Sequence, residues 1–291
     1  MKQHKGSRTA EFMALFRALE SQLPADKRLF NDPFAKYFLS TSHSAILRLG
    51  TIPALSGLLM GFIDRQWPGA RTSGVARTRL IDDSVGNALA NGIQQVVILG
   101  SGFDSRAYRL PGMAKLPVYE VDHPATSSLK RERIKRVLGT IRDNVHFVKI
   151  DFTKEDLENK MALVGYQREM TTIFVWEGVT NYLPAESVNS TLRWCSQAAF
   201  KSQVVFTYVD KKVLTDPGSF YGTKRVIKML GDVGERWTFG INPVELNAYL
   251  RQKGLQLKSD IGAAQYRRLY YQEASSKMRG YEFYRVATAT V

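Results

Sequence analysis

Cysteine and histidine are scarce in this chain of 291 residues, which has one cysteine and four histidines. The single thiol, Cys195, cannot form an intrachain disulfide, so we expect a protein of a reducing compartment, the cytoplasm. No histidine or basic cluster near Cys195 would lower the pKa of its thiol, so we interpret it as a packed side chain on a helix. No group of histidine, cysteine and acidic residues has the spacing of a metal site, and no metal is predicted.

The chain also lacks a long apolar run. Its most apolar region, residues 45–63, is interrupted by Arg48, Gly50, Pro53 and Gly57, whereas a bilayer span takes about 20 predominantly apolar residues. We therefore expect a buried or cap helix there and no membrane span, with interfacial membrane contact as the alternative. The N-terminus is basic but no apolar segment follows it, so no secretory signal is predicted.

Acidic residues are outnumbered, with 27 against 41 basic ones, and the formal net charge is +14. Such a surplus attracts nucleic acid, anionic lipid or an acidic small molecule. The basic residues are nevertheless spread along the chain. The densest run, KRERIKR at residues 130–136, is interpreted as a solvated helix face, with a phosphate-contacting patch as the alternative.

The segment from Val96 to Asp122 organises the rest of the chain. Four apolar residues lead into Gly100-Ser101-Gly102, and a second short apolar run ends on Asp122. A buried strand, a glycine turn and a second strand that ends in a carboxylate are typical of a nucleotide-binding βαβ unit.

Apolar runs and helical patterns alternate after residue 92, which predicts a parallel sheet covered by helices on both faces. The predicted strands are 95–99, 117–121, 145–149, 171–176, 203–209, 255–261 and 281–290. The predicted helices are 75–91, 104–110, 125–138, 154–163, 185–199 and 243–253, and residues 1–65 are mostly helical. The fold class is therefore α/β, a Rossmann-like, seven-stranded and mostly parallel sheet.

We expect a single domain across residues 1–291. Residues 1–92 form an N-terminal helical cap together with the helix that leads into the sheet, and residues 93–210 form the cofactor-binding core. Residues 211–242, rich in glycine, basic and aromatic residues, are a lid insertion after the fifth strand, and residues 243–291 complete the sheet.

Carboxylates end three consecutive predicted strands. Asp122 follows the second strand, Asp151 the third and Glu177 the fourth. The carboxyl ends of parallel strands share one edge of the sheet, where open α/β sheets bind their ligands. Asp122 can accept hydrogen bonds from ribose hydroxyls there, Asp151 from an adenine amino group, and Phe152 offers apolar contact.

The glycine turn favours a cofactor without a phosphate. A dinucleotide site has a third glycine in G-x-G-x-x-G, but Ser105 stands at that position and Asp104 would bring negative charge towards phosphates. S-adenosylmethionine carries a sulfonium, an ammonium and a carboxylate. Glu177 can hold the cation and an arginine the carboxylate, so S-adenosylmethionine is the predicted cofactor.

Several segments resemble, in order, the leucine carboxyl methyltransferase superfamily, and most closely its microbial, polyketide-type O-methyltransferase branch. They are ARTRLIDD (76–83), VVILGSGFDSRAYRL (96–110), YEVDHP (119–124), DFTKEDL (151–157) and EGVTNYLPAESVNSTL (177–192). SRTAEFMALFRALE and RLFNDPFAKYF nearer the N-terminus resemble that branch as well. The likeness covers residues 7–200 and implies a class I methyltransferase fold. Ser101 and Ser105 depart from it, where many members have alanine and threonine.

The resemblance implies a role for each cofactor residue. It places Arg77 on the methionine carboxylate, Gly100 and Gly102 on the methionine and ribose, Asp122 on the ribose, Asp151 and Phe152 on the adenine, and Glu177 on the methionine amino group. Alternatives stay open for three of them. Arg77 could be a helix-surface charge, Asp151 an N-cap of the next helix, and Glu177 a buried structural acid.

The acceptor site is less legible in the sequence. His123, Tyr182 and Tyr208 are candidate catalytic residues, each with a structural alternative. The resemblance implies that Thr9, Phe12, Phe16 and Arg17 of the N-terminal helices roof the acceptor, while Lys224, Arg225 and Arg236 of the lid could pair with an acidic one.

We predict an S-adenosylmethionine-dependent O-methyltransferase acting on a carboxylate or hydroxyl of a small molecule such as a polyketide. Three rival classes stay open: a nucleic-acid methyltransferase, a carboxyl methyltransferase acting on a protein C-terminus, and a non-catalytic or dinucleotide-binding protein. No Tyr-x-x-x-Lys pair suitable for a nicotinamide reductase is present. The oligomeric state is not indicated.

Overall fold

The computed structural model describes residues 8–232 and 234–291 of the chain. At its centre lies one sheet built from the predicted apolar runs. In chain order the strands are β1 (Gln95–Leu99), β2 (Val118–Asp122), β3 (Val145–Lys149), β4 (Thr172–Trp176), β5 (Gln203–Val209), β6 (Gln256–Gly262) and β7 (Tyr284–Thr290). Their spatial order is β3-β2-β1-β4-β5-β7-β6, in which β7 is antiparallel to β5 and β6 and the other neighbours are parallel.

The strands lie within three residues of their predicted bounds, so the predicted α/β sheet is confirmed. Strands β1 and β4 are buried along their whole length, which is why they read as continuous apolar runs. Successive side chains point to opposite faces. Val96 and Ile98 therefore join the core on one face of the sheet, and Val97 and Leu99 join the core on the other.

Helices cover both faces of the sheet, and the helices of the N-terminal region form a cap beside the carboxyl ends of the strands. They are α1 (Arg8–Ser21), α2 (Thr41–Gly50), α3 (Pro53–Gln66), α4 (Ala70–Ala90), α5 (Arg106–Arg109), α6 (Pro124–Leu138), α7 (Leu157–Ala162), α8 (Ala185–Ser196), α9 (Lys212–Thr215), α10 (Thr223–Asp232), α11 (Leu246–Arg251) and α12 (Ala263–Tyr271). Short 3-10 turns occupy Ala35–Phe38, Met113–Lys115, Thr180–Tyr182, Pro243–Glu245 and Gln272–Lys277. The expected helical structure at residues 1–7 lies outside the described residues.

The apolar region 45–63 forms parts of two helices, α2 and α3, separated by a turn before Pro53. The expectation of one buried or cap helix is therefore corrected. Leu58 is 72% exposed and Phe62 is 63% exposed, because this hairpin packs on the cap through one side only. Within the described ranges, no helix is long and apolar enough to cross a membrane.

The basic run at residues 130–136 is not wholly a solvated face, contrary to the sequence interpretation. Lys130 is completely buried, and its Nζ lies 2.8 Å from Oε1 of Glu120, which is also buried on β2. The pattern of alternating charges hid this residue because its partner is ten positions away in the sequence. Arg136 does lie on the exposed face, where it pairs with Glu132.

Helix α12 was not predicted from the sequence. Its segment, AAQYRRLYY, buries Ala263, Tyr266 and Arg267, and the Arg267 guanidinium pairs with Glu282. The helix packs along α4 on one face of the sheet. With few aliphatic residues and a buried arginine, its inward face does not give the usual apolar period.

The chain leaves the sheet after β5 and returns beside the same strand end, where Asp210 and Ile241 form an isolated bridge. Between these points α10 buries Val226 and Leu230. The described residues of 211–242 that line the cavity, among them Val226 and Leu230, therefore lie beside the carboxyl edge of the sheet.

Candidate functional site

A cavity of about 390 Å³ opens at the carboxyl edge of the sheet. Its floor comes from the ends of β1 to β4, and its walls from α1, α4, residues 226–230 and residues 235–237. One side of α4 contributes Ala70, Ser73, Gly74 and Arg77 at helical spacing. Small residues there allow close packing, since a Cβ on Gly74 would lie 2.9 Å from Met13 Cε of α1.

The turn after β1 brings the backbone to the cavity surface. Gly100 has φ of +62° and Gly102 has φ of +44°, a region that glycine enters at no steric cost. A Cβ on Gly100 would overlap the Val179 side chain. The backbone at both positions therefore favours glycine, and both glycines line the cavity.

Asp122 lies at the tip of β2 and ties that strand to the turn. Its Oδ2 accepts a hydrogen bond from the Gly102 N–H, and its Oδ1 accepts one from the His123 N–H at 2.6 Å. Burial raises the pKa of the Asp122 carboxyl, although these two hydrogen bonds oppose the shift. Each carboxylate oxygen has a second lone pair, so Asp122 can still accept bonds from a ligand.

Arg77 and Glu177 meet in the wall. Arg77 Nε lies 3.0 Å from Glu177 Oε1, and Arg106 Nη1 lies 2.9 Å from Glu177 Oε2. Arg77 is 7% exposed and its guanidinium stacks over the Tyr284 ring at 4.6 Å, so the alternative of a helix-surface charge is wrong. Burial opposes ionisation of Glu177, yet Arg106 and Arg77 bring its pKa below the ordinary value.

Arg106 links Glu177 to two more carboxylates. Its Nε lies 2.7 Å from Asp82 Oδ1, and its Nη1 also pairs with Asp104. Burial is the largest single effect and works against ionisation of Asp104, but the charges of Arg106, Lys130 and Arg17 and the hydrogen bond from the Arg106 N–H together outweigh it, and the pKa of Asp104 falls to about 2. Asp104 lines the cavity, so the repulsion towards phosphates that the sequence suggested is largely balanced by Arg106.

Asp151 and Phe152 follow β3 and line the same cavity. Asp151 Oδ1 accepts hydrogen bonds from the Thr153 hydroxyl at 2.6 Å and from the Thr153 N–H at 3.0 Å, and these bonds lower the pKa of Asp151. The N-cap of the following helix, α7, is Asp156. The alternative role of Asp151 as that N-cap is therefore wrong.

The three catalytic candidates are placed differently. His123 lines the cavity and caps α6, where its Nδ1 accepts a hydrogen bond from the Ala125 N–H. Tyr182 lines the cavity in the turn after β4. Tyr208 does not line it, because its hydroxyl points to β6 and donates to Asp260 Oδ2 at 2.9 Å. The position of Tyr208 is therefore that of a structural residue, and not of a catalytic one.

The predicted roof residues Thr9, Phe12, Phe16 and Arg17 all line the cavity along one side of α1. The Arg17 guanidinium makes its hydrogen bonds to other protein groups. Its Nε lies 2.8 Å from Asp32 Oδ2, and its Nη2 donates to the Phe103 carbonyl at 2.6 Å.

The basic lid candidates are not in the cavity wall. Arg225 Nη1 donates to the carbonyls of Arg65 and Gln66, at the end of α3. Lys224 and Arg236 are exposed. None of these three lines the cavity, so the structure does not bring the proposed acid-binding group together.

Sequence reasoning missed much of the wall opposite the sheet. Val226, Met229 and Leu230 of α10 line it, followed by Glu235 and Trp237. The i, i+3, i+4 spacing of the first three is a helical apolar pattern that could have been found. Glu235 and Trp237 carry no such signal, since they lie in irregular structure.

The wall suits a cationic ligand. Five of its residues are acidic (Asp104, Asp122, Asp151, Glu177, Glu235) and two are arginines, Arg17 and Arg77. S-adenosylmethionine carries one net positive charge, with a sulfonium, an ammonium and a carboxylate. An acidic wall, a carboxylate at the tip of β2 and glycines that admit a ligand to the backbone fit that cofactor. Fold and site together define a Rossmann-like methyltransferase.

Comparison with known proteins identifies the family. The family model described as leucine carboxyl methyltransferase matches residues 10–196, and the chain belongs to that family. A Bacillus subtilis protein is 29% identical over 210 residues, covering 72% of this chain and 69% of its own length. A Streptomyces coelicolor protein is 31% identical over 208 residues, covering 71% and 70%.

Both relatives are provisionally named S-adenosyl-L-methionine-dependent methyltransferases. A Mycobacterium tuberculosis relative with the same description is 32% identical over 192 residues, 63% of this chain. The match spans about half of that relative, 52% of its length. The chain is thus an S-adenosylmethionine-dependent methyltransferase, as predicted.

Two solved structures share the fold over nearly the whole chain. A DUF574 family protein from Streptomyces avermitilis has a TM-score of 0.61 at 12% identity, covering 98% of this chain and 97% of its own. A protein from Thermobifida fusca, provisionally described as a methyltransferase, has a TM-score of 0.55 at 13% identity and covers 97% of both. The class I methyltransferase fold is confirmed.

Proposed function

We propose that this methyltransferase transfers a methyl group to an oxygen atom of a small molecule, a polyketide or another natural product. The observation that carries the proposal is the shape of the site. A concave cavity of about 390 Å³, lined mainly by apolar and aromatic side chains, lies at the carboxyl edge of the sheet. This volume is in the range of about 300–1,000 Å³ typical of small-molecule sites.

The proposed cofactor contacts follow from the residues at the sheet edge. Asp122 would hold the ribose hydroxyls, Asp151 and Phe152 the adenine, and Gly100 and Gly102 the methionine and ribose region. The Arg77–Glu177 pair would face the methionine carboxylate and ammonium. Arg106 holds the other oxygen of Glu177 at 2.9 Å, so the carboxylate stays oriented whether or not a ligand is bound.

When bound, S-adenosylmethionine supplies an electrophilic methyl group. The contribution of the chain is then to align the acceptor oxygen with that methyl carbon and to exclude water. Phe12 and Phe16 of α1 and Met229 of α10 line the cavity, where they would exclude water from the acceptor. A carboxylate acceptor would need no general base at pH 7, whereas a phenol, with a pKa of about 10, would gain from one.

The test is transfer of label from S-adenosylmethionine carrying a radioactive methyl group. The purified protein is incubated with three separate pools: a filtered culture extract of a polyketide-producing actinomycete, bulk RNA and a soluble protein fraction. We expect label in the small-molecule pool. Label confined to RNA would identify a nucleic-acid methyltransferase, and label confined to protein would favour a carboxyl methyltransferase of a C-terminus. Either result, or label in none of the pools, would overturn the proposal.

A further inference from the structure

The hairpin of α2 and α3 exposes a group of large apolar side chains. Leu58 and Phe62 lie four positions apart on α3, so they share one face of that helix, and both are largely exposed. Leu49 near the end of α2 and Ile52 in the turn before α3 are exposed as well. Single exposed apolar residues are ordinary on a protein surface, whereas a group of them marks an interaction site.

The exposed side chains of the two helices belong to one surface. The end of α2 lies against α3, since a Cβ on Gly50 would lie 3.4 Å from Leu59 Cδ2. Gly57 and Gly61 are exposed, and a Cβ on either would meet nothing within 4 Å. The apolar side chains beside these glycines therefore protrude from α3.

The charges on this hairpin are positive. Arg48 and Arg65 are exposed, and Arg65 lies three positions after Phe62, on the same side of α3. Asp64 is the single acidic residue in the sequence 41–66, and its carboxylate is paired with Arg71 Nη2 at 2.7 Å. We call the group formed by Leu49, Ile52, Leu58, Phe62, Arg48 and Arg65 the hairpin surface.

Helix α10 extends the positive charge beyond the hairpin. It buries Val226 and Leu230 and exposes three basic residues, Lys224, Arg225 and Lys228, with Asp232 at its far end. Arg225 Nη1 donates to the carbonyls of Arg65 and Gln66 at the end of α3. The basic side of α10 therefore lies next to the hairpin surface.

We infer that the hairpin surface binds the surface of an anionic lipid bilayer. Leu58 and Phe62 enter the boundary between headgroups and acyl chains, as the apolar residues of interfacial helices do. Arg48, Arg65 and the basic residues of α10 meet the lipid phosphates. The inference concerns where the protein docks, and it is independent of the methyl acceptor.

A second copy of the chain fits this surface less well. A closed, two-fold dimer places the same surface of both copies face to face. The arginines of the hairpin surface would then meet the same arginines, and Asp64 is already paired with Arg71. An anionic bilayer offers the opposite charge together with an apolar interior.

The test is cosedimentation of the purified, full-length chain with vesicles. One set of vesicles contains phosphatidylglycerol and phosphatidylcholine in equal parts, and the other contains phosphatidylcholine alone. We expect binding to the mixed vesicles to be at least about tenfold tighter than to the neutral ones. Added salt should weaken it, because exposed charges are screened.

Two double variants separate the apolar and the charged contributions. Leu58→Gln with Phe62→Gln should weaken binding to the mixed vesicles at least about tenfold, because the apolar insertion is lost. Arg48→Gln with Arg65→Gln should weaken it about fivefold for each arginine and leave binding to neutral vesicles unchanged. The arginine variant decides the question if the apolar variant does not fold.

The matched control is Leu163→Gln with Phe200→Gln. These residues are 83% and 76% exposed and lie outside the hairpin, so vesicle binding should match the wild type. In all variants the affinity for S-adenosylhomocysteine should stay within about twofold, since exposed substitutions outside the cavity wall have small effects.

Three results would overturn the inference: no binding to either kind of vesicle, equal binding to both, or equal losses in the hairpin and control variants. Self-association of the wild type that Leu58→Gln with Phe62→Gln abolishes, without vesicle binding, would assign the hairpin surface to a second copy instead. The proposed function stands in each case, because vesicle binding and methyl transfer are measured separately.

Discussion

The two ends of the cavity are built in different ways. At the cofactor end, the side chains come from the tips of β1 to β4 and are held by backbone hydrogen bonds and ion pairs, as Asp122 and Glu177 are. At the acceptor end, α1, α10 and the irregular segment 235–237 contribute mainly apolar and aromatic surface around Glu235. Under the proposed function, the sheet itself would bind the donor, and acceptor choice would depend on the added elements.

A buried charge network supports the cofactor end. Arg106 joins Glu177, Asp104 and Asp82, and Arg109 makes a second contact to Asp82 at 2.6 Å. Every member of such a network needs its partners, since an unpaired buried charge is costly. At the acceptor end, Arg17 of α1 reaches the same network through Asp32 and Arg109, but the apolar and aromatic residues of α1 and α10 lie outside it. We therefore expect substitutions of these apolar and aromatic residues and of the network to affect different properties.

The largest expected effect is on the free energy of unfolding, through the buried Lys130–Glu120 pair beneath the cofactor end. Lys130→Met leaves Glu120 buried without its partner and should lower the free energy of unfolding by about 3–5 kcal/mol, measured by urea titration. Replacing both residues, with Glu120→Leu added, should recover much of the loss because no buried charge remains. A loss below about 1 kcal/mol in the single variant would show that the pair does not support this end.

The same pair predicts a pH dependence. Burial raises the pKa of Glu120 to about 7, although Lys130 opposes the shift. The folded protein then holds this proton more tightly than the unfolded chain, so the free energy of unfolding should fall as pH rises from about 4.5 to about 7, by up to about 3 kcal/mol. Glu120→Gln should lack this contribution. Parallel pH profiles of the wild type and the variant would contradict it.

A smaller loss is expected in cofactor affinity. Asp122→Ala removes the proposed ribose acceptor and should weaken S-adenosylhomocysteine binding about 100-fold, which corresponds to about 2–3 kcal/mol for hydrogen bonds to a charged group. Circular dichroism should show a folded protein. The matched control is Asp143→Ala, an exposed aspartate before β3, with unchanged affinity. Retained affinity in Asp122→Ala would assign the ribose to another residue.

The smallest effect is expected for a lid arginine, Arg236, whose substitution should change neither binding nor catalysis. Arg236 is exposed and outside the cavity wall, so Arg236→Ala should leave the affinity for S-adenosylhomocysteine and the rate of methyl transfer to the small-molecule pool within about twofold of the wild type. Calorimetry and transfer of the labelled methyl group measure these two quantities. A loss of tenfold or more in methyl transfer would show that the lid cations reach the acceptor end, and would remove the contrast between the two ends.

Which residues meet at the edge of the sheet could be predicted from the sequence better than which residues form the opposite wall, for a physical reason. Strands buried on both faces must be apolar, and their ends must coincide at one edge, so Asp122, Asp151 and Glu177 could be aligned from local patterns alone. Lys130 was misread because its partner Glu120 is a tertiary neighbour. Glu235 was missed because its position depends on how the segment after α10 returns across the cavity.

The Arg77–Glu177 pair shows the limit of inference from motifs. The sequence suggested separate roles for the two residues, one for each charged group of the methionine. The structure places their side chains 3.0 Å apart, so a ligand would meet them as a unit. No local pattern in the sequence indicates this contact, because one hundred positions separate the two residues.

The central claim is that the acidic, glycine-lined edge of the sheet binds S-adenosylmethionine. The most direct measurement is a calorimetric titration of the wild-type protein with S-adenosylhomocysteine, the demethylated product. The account predicts saturable binding at one site per chain with a dissociation constant in the micromolar range or tighter. No detectable binding at high micromolar concentration, in protein shown to be folded, would contradict it.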